Sequence, residues 1–209
     1  MIKTIYIIVS ITILTSCTVK LTGNKKSYLK KELEEMVKTD QIAAFHWEDK
    51  WAKYRDSTFT EHKIRVEKMF NKYGFLGFNE VGKDASRDFW LLVQHCDKFP
   101  EFQKKILKAM DKEVKKNNAN PIDYAYLYDR VKVNAGEKQL FGTQATYEVE
   151  TTGRAIPKIG LIDSVNVDKI RGEYGLDSLK DYLNMLTTKH YEMNKEHYQK
   201  MGINKPNLY

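Results

Sequence analysis

The stretch Asp84-Ala85-Ser86-Arg87-Asp88-Phe89-Trp90-Leu91-Leu92-Val93-Gln94-His95-Cys96-Asp97 decides the fold. Phe89, Trp90, Leu92, Val93 and Cys96 recur at helical spacing and form a wide apolar stripe, with Asp84 or Ser86 placed to cap its start. Such a helix is stable in water only if other elements cover that stripe, and the sequence supplies them on both sides.

Upstream, Lys25 to about Tyr54 carries Leu29, Leu33, Met36, Val37, Ile42 and Phe45 at helical spacing, and Asp56-Ser57-Thr58 reads as its break. A second helix is expected from Glu61 to Tyr73, closed by Gly74, followed by a glycine-containing loop from Phe75 to Lys83. Downstream, Pro100 opens a helix that runs to Val114, and Asn120-Pro121 repeats the start signal for one ending near Val131. After Asn134-Ala135-Gly136 the period shifts toward alternation. Gln139-Leu140-Phe141 and Thr146-Tyr147-Glu148-Val149 read as strands, with Thr152-Gly153 turning into Ala155-Ile156-Pro157. Helical spacing returns from Val167 to Tyr174 and again from Asp177-Ser178 through Leu186. The expected class is mainly α: a compact multi-helix domain with a small β-hairpin after the central helices.

The polar residues inside these helices are the candidates for chemistry. His95 lies beside Leu91, Leu92 and Phe99 on its helical face, Gln103 beside Phe99, Ile106 and Met110, and Asp129 beside Ile122, Ala125 and Tyr126. Polar groups on such faces need partners, because burying one unsatisfied costs a few kcal/mol. Two arrangements follow. In one, they line a cleft: His95 is a general acid or base, Asp97 or Asp129 orients it, Arg130 binds an anionic group, and Gln94, Gln103, Gln139, Thr143 and Gln144 hold a ligand. In the other, the same groups satisfy helix ends and pin the hairpin, and the domain is a non-enzymatic structural or interaction module.

Val81-Gly82, Gln94-His95-x-Asp97, Pro100-x-Phe102-Gln103, Asp129-Arg130-Val131 and Gly142-Thr143-Gln144 together resemble an uncharacterised bacterial family catalogued as a domain of unknown function. Asp163, Val167-Asp168, Arg171, Gly175-Leu176 and Tyr182-Leu183 are similar to its C-terminal pattern. Ile170 stands where an arginine often precedes Arg171, and Ala44 and Phe45 stand where one is expected after Asp40-Gln41. The resemblance implies no reaction.

The N-terminus gives an address. Met1 to Lys3 is a short basic start, and the apolar run from Ile5 to Leu14 is too short to span a bilayer, which takes about 20 residues. It ends in Leu14-Thr15-Ser16-Cys17, similar to the bacterial lipobox. The expectation is a signal peptide over residues 1–16, an acylated Cys17 with a flexible tether to residue 27, one helical domain over 28–201 and a tail over 202–209 that frays. The chain is then held in the cell envelope, on the periplasmic or surface side, by lipid on Cys17.

Composition excludes several classes. Cys17 and Cys96 are the only cysteines, so an acylated Cys17 leaves no disulfide and no cysteine zinc site; Cys96 reads as a core residue. The net charge is +7, but acids are interleaved with the lysines and no long basic block appears, which disfavours nucleic acid as a partner. His190 and His197 are seven apart without a third ligand, and no phosphate loop, nucleophile elbow or His-Glu-x-x-His is present, so no metal or cofactor is implied. His46 sits in an aromatic patch with Phe45, Trp47 and Trp51. The expected partners are the membrane and an unknown small molecule or envelope component.

Overall fold

The computed structural model describes residues 21–46 and 48–209; the leader, Cys17 and Trp47 lie outside the described residues. The first helix, α1, spans Gly23–Phe45, and α2 spans Ala52–Tyr73 after a single 3-10 turn at Asp49–Trp51. A short α3 (Phe78–Val81) leads into α4 (Lys83–Gln94), followed by α5 (Pro100–Val114) and α6 (Pro121–Asn134). The strands β1 (Ala145–Tyr147) and β2 (Ala155–Pro157) form the antiparallel hairpin, with Thr146 opposite Ile156. Then come α7 (Val167–Glu173), α8 (Leu179–Met193) and α9 (Lys195–Lys200). The expected class holds: mainly helical, with a small two-stranded sheet after the central helices.

The quoted stretch is the centre of the core. Helix α4 touches α1, α2, α3, α5 and α6, and Phe89, Leu92, Val93 and Cys96 are buried among Leu33, Met36, Val66, Ile106 and Leu127. Full burial of each large apolar side chain contributes about 1.5–3 kcal/mol. Those burials hold the helices together more than any single polar contact does.

Several boundaries differ from expectation. The break between α1 and α2 falls at residues 46–51, and Asp56-Ser57-Thr58 lies inside α2. Ser57 returns its hydroxyl to Tyr54 O (2.9 Å), Asp56 pairs with Lys98 (2.6 Å), and Thr58 is buried, so packing overrides local breaking tendency. The loop before α4 contains α3, where Gly77 permits close approach: a Cβ there would lie 2.4 Å from Asn118 O. Gln139-Leu140-Phe141 is no strand; Gln139 makes a single bridge to Leu161 through Gly160 O and Ile162 N, and the backbone of Leu140 and Phe141 is held by side chains instead. The tail is tied down. Arg154 donates to Asn207 O, Asn207 Oδ1 and Leu208 O at 2.8 Å each, and Tyr209 Oη to Ala155 O at 2.9 Å, so the end of the chain is hydrogen-bonded back to the β2 region.

Candidate functional site

The polar residues singled out from the sequence separate into three groups rather than one cleft. The first surrounds Asp97. Its carboxylate accepts from Arg130 Nε and Nη2 (2.8 and 2.5 Å), Asn134 Nδ2 (2.8 Å) and Gln103 Nε2 (3.2 Å). Gln103 also donates to Val93 O (3.0 Å) and Gln94 O (3.3 Å), the open carbonyls at the end of α4. Burial alone would raise the Asp97 carboxyl, but Arg130, Asn134 and Gln103 outweigh it and hold the group below its ordinary value. Gln94 sets its amide 3.2 Å from both Trp90 Nε1 and Leu127 N, where an oxygen fits two donors.

The second group is a hub for the loop after α6. Asp129 accepts from the backbone N–H groups of Leu140 (2.9 Å), Phe141 (3.2 Å) and Thr143 (2.8 Å) and from the Thr143 hydroxyl (3.0 Å). Burial pushes its carboxyl above the usual value while these donors pull the other way. The carbonyls of the same loop go to other elements. Arg171 Nη1 donates to Phe141 O (2.6 Å), and Tyr182 Oη donates to Thr143 O (2.7 Å). Gln139 donates to Gln144 O and Lys158 O and accepts from Gln144 N, tying the loop to the strand region. A fully buried carboxylate with both oxygens taken has nothing to offer a ligand, so Asp129, Gln139 and Thr143 act as internal scaffolding. Gln144 adds a long contact to Tyr126 O (3.5 Å).

The third group contains a carboxylate that sequence reasoning did not select. Asp40, on α1, is completely buried, and its Oδ2 accepts from His95 Nδ1 at 2.7 Å and from Gln41 Nε2 at 3.0 Å. Its Oδ1 faces Nδ1 of His62, on α2, at 3.6 Å. His62 is anchored behind by Thr39, whose hydroxyl donates to Met36 O (2.9 Å) and lies 3.1 Å from His62 Nε2. Burial works against the Asp40 anion, but nearby His62, the hydrogen bond from His95 with the charge it carries when protonated, and Gln41 together hold its pKa below the ordinary value.

His95 is positioned by its place at the end of α4. It is the C-cap residue, and Phe59 of α2 stacks on its ring with centroids 5.0 Å apart. With Nδ1 bonded to the carboxylate, Nε2 points away and has no hydrogen-bond partner among the described residues; the side chain stays 19% exposed. With Nδ1 donating to a carboxylate, the neutral form of such an imidazole has its lone pair on Nε2, the arrangement suited to taking or giving a proton. At the end of α1 lies a hollow of about 700 Å³ bounded by Gln41, Ile42, Ala44, Phe45, His46 and Met193; His95 does not line it, and Gln41, which donates to Asp40, is the residue that links it to the pair. Cys96, next in the chain, is inert: burial and the Asp40 and Asp97 charges push its thiol up to about 12, and its Sγ donates to Leu92 O.

The family model described as "Family of unknown function (DUF6624)" matches residues 29–194. The chain belongs to that family. No curated protein and no solved structure matches it. The DUF6624 segment contains all three polar groups, including Asp40 and His62. His190 and His197 fall on different helices, and no cluster of metal-binding side chains occurs among the described residues of this DUF6624 chain. No helix of the described residues is long and apolar enough to cross a membrane.

Proposed function

We propose that this chain is a lipid-anchored cell-envelope protein in which His95, oriented by Asp40, is the group that meets a small molecule or an envelope polymer. The Asp40–His95 hydrogen bond of 2.7 Å, with Nε2 left without a partner among the described residues on a side chain that stays 19% exposed, carries this reading. His95 serves as proton acceptor and donor or as the ligand's hydrogen-bond partner, Asp40 as the residue that positions it, and His62 as the buried support on the other carboxylate oxygen. Among the described residues no activated nucleophile is bonded to it, so attack by water assisted by His95, or binding without turnover, fits these residues better than a covalent intermediate. The address rests on the basic start, the apolar run and Leu14-Thr15-Ser16-Cys17.

A second reading has its own support. Phe45 and Met193 are 81% and 85% exposed, and Ile42 is half exposed, around the hollow near Gln41. His46 stacks on Trp51 at 4.3 Å beside them. Such a patch suits a protein partner, with the polar groups serving as scaffolding.

A thermal-shift screen of cell-wall glycan and peptide fragments separates the two readings, using the chain from Cys17 onward and its His95→Asn variant. Asparagine can retain a donor toward Asp40 while removing Nε2. The first reading expects fragments that raise the melting temperature of the parent and not of His95→Asn. Fragments acting equally on both, together with partner capture that Phe45→Ala abolishes, would favour the interaction module.

A further inference from the structure

Helix α5 places Lys105, Lys108 and Lys112 at i, i+3 and i+7, so they share one face, and Lys116 follows in the turn just after the helix. With Lys26 of α1 they edge a groove of about 880 Å³ whose apolar lining includes Phe70, Tyr73, Phe75 and Ala109. Its positive charge is largely uncompensated. Among the described residues, Lys26 and Lys105 bond to uncharged oxygens, Asn79 O and Asn71 Oδ1, at 2.9 Å each, and form no ion pair. Lys108 and Lys112 have no ion pair among the described residues, and only Lys116 is paired, with Glu113 at 2.8 Å. Glu80 is engaged with Gly77 N and Asn118 Nδ2. By contrast Lys104, on the same helix, and Lys115, its C-cap, lie outside the groove and are neutralised by Glu101 and Asp111.

We infer that this groove is the face on which the domain rests against anionic phospholipid headgroups, an inference that builds on the lipid-anchor reading. Leu21 lines the groove and is the fourth residue after Cys17, so the acylated cysteine lies within about 14 Å of it even with the chain fully extended. The tether therefore holds this face, rather than the His95 face, to the bilayer. The charges match an anionic surface, where each lysine near the headgroups strengthens association about fivefold. Phe70 and Tyr73, partly buried in the wall, supply the apolar and amphipathic surface that suits the headgroup boundary. A short tether and a basic face give the domain one orientation on the membrane, which acyl chains alone do not.

The test uses the chain from Cys17 onward, made without its leader so that no acyl group is added and every described residue is kept. It is floated with vesicles of phosphatidylcholine alone or with roughly a third phosphatidylglycerol. Binding is expected only with the second, weakening as salt rises and falling about tenfold or more in Lys108→Glu/Lys112→Glu. Equal flotation with both vesicles, or parent-like flotation of the variant, overturns the inference. Release by millimolar glycerol phosphate at constant ionic strength also overturns it, since that marks a site for a free phosphate. Should the variant not fold, amine-reactive footprinting of the parent decides: phosphatidylglycerol vesicles must protect Lys108 and Lys112 but not Lys169 of α7, and absence of protection sinks the inference. Intact mass of the full chain from the membrane fraction tests the anchor separately. Missing acyl mass with anionic-vesicle binding intact removes the anchor and keeps the groove, and the converse removes the groove.

Discussion

Asp40 and His95, 55 residues apart in the chain, meet through a 2.7 Å hydrogen bond between Oδ2 and Nδ1. The carboxylate is fully buried and the imidazole reaches solvent, so the pair connects the core to the surface. Hydrogen bonds to a charged group contribute about 1.5–3 kcal/mol each when formed and leave a larger penalty when one partner is removed.

Asp40→Asn should therefore lower unfolding free energy at pH 7 by about 2 kcal/mol. The sign with pH follows from the depressed Asp40 value: its contribution is fully present above the unfolded aspartate range, about 3.9, and is lost as pH falls through the lower folded value. Urea denaturation of parent and variant should differ at pH 7 and converge in strong acid. A gap that stays constant across pH would show that the lost stability is not that of the anion.

His95→Ala and His95→Asn should part company. Alanine leaves the buried Asp40 carboxylate with Gln41 and the distant His62, at a cost of about 1–3 kcal/mol, whereas asparagine keeps a donor and costs less. Both should lose any ligand that depends on Nε2. Equal stability of the two variants would mean that the Asp40 bond contributes nothing.

Asp129→Asn turns an amide group toward donors, so one or more of its four hydrogen bonds must break. A loss of about 3 kcal/mol is expected, or roughly 6–12 °C in melting temperature for a domain of this size. Near-ultraviolet circular dichroism should report loosening around Phe141, Tyr128 and Tyr174, which pack together there. A change confined to ligand binding, with melting unaltered, would contradict the scaffolding role.

Asp123→Asn should stabilise the protein. Desolvation raises the Asp123 carboxyl to about 6, partly opposed by Arg87, so the folded state holds its proton more tightly than the unfolded chain. The resulting penalty grows as pH rises between the unfolded and folded values and is constant above about 6. The variant should gain about 1 kcal/mol at pH 7, discounted for partial solvent screening, and nothing near pH 3. Chemical denaturation at the two pH values measures this directly.

Legibility differed between these groups for a physical reason. The α4 stripe, the proline-initiated α5 and α6 and the Gly74 that closes α2 follow from local periodicity and capping, which the chain carries within windows of a few turns. His95 was readable as an inward-turned residue beside Leu91 and Phe99. Its partner was not: Asp97 and Asp129, the nearby carboxylates, bind Arg130 and the 140–143 backbone, and Asp40 comes from α1. The one available signal was Asp40 itself, an acid three residues after Val37 on the face that carries Leu33, Met36 and Ala43. Arg171 was likewise missed as the clamp on Phe141 O, since a cation buried without an ion pair has no local signature.

The sequence by itself determined the helical class, the position of the central helix, the late hairpin and the set of polar residues that needed partners, because those depend on spacing along one element. Only the tertiary structure decided which polar residue met which. That choice depends on how α1, α2 and α4 cross and on where the 139–144 loop enters the core, and burial then selects the pairings that leave the fewest charges unsatisfied.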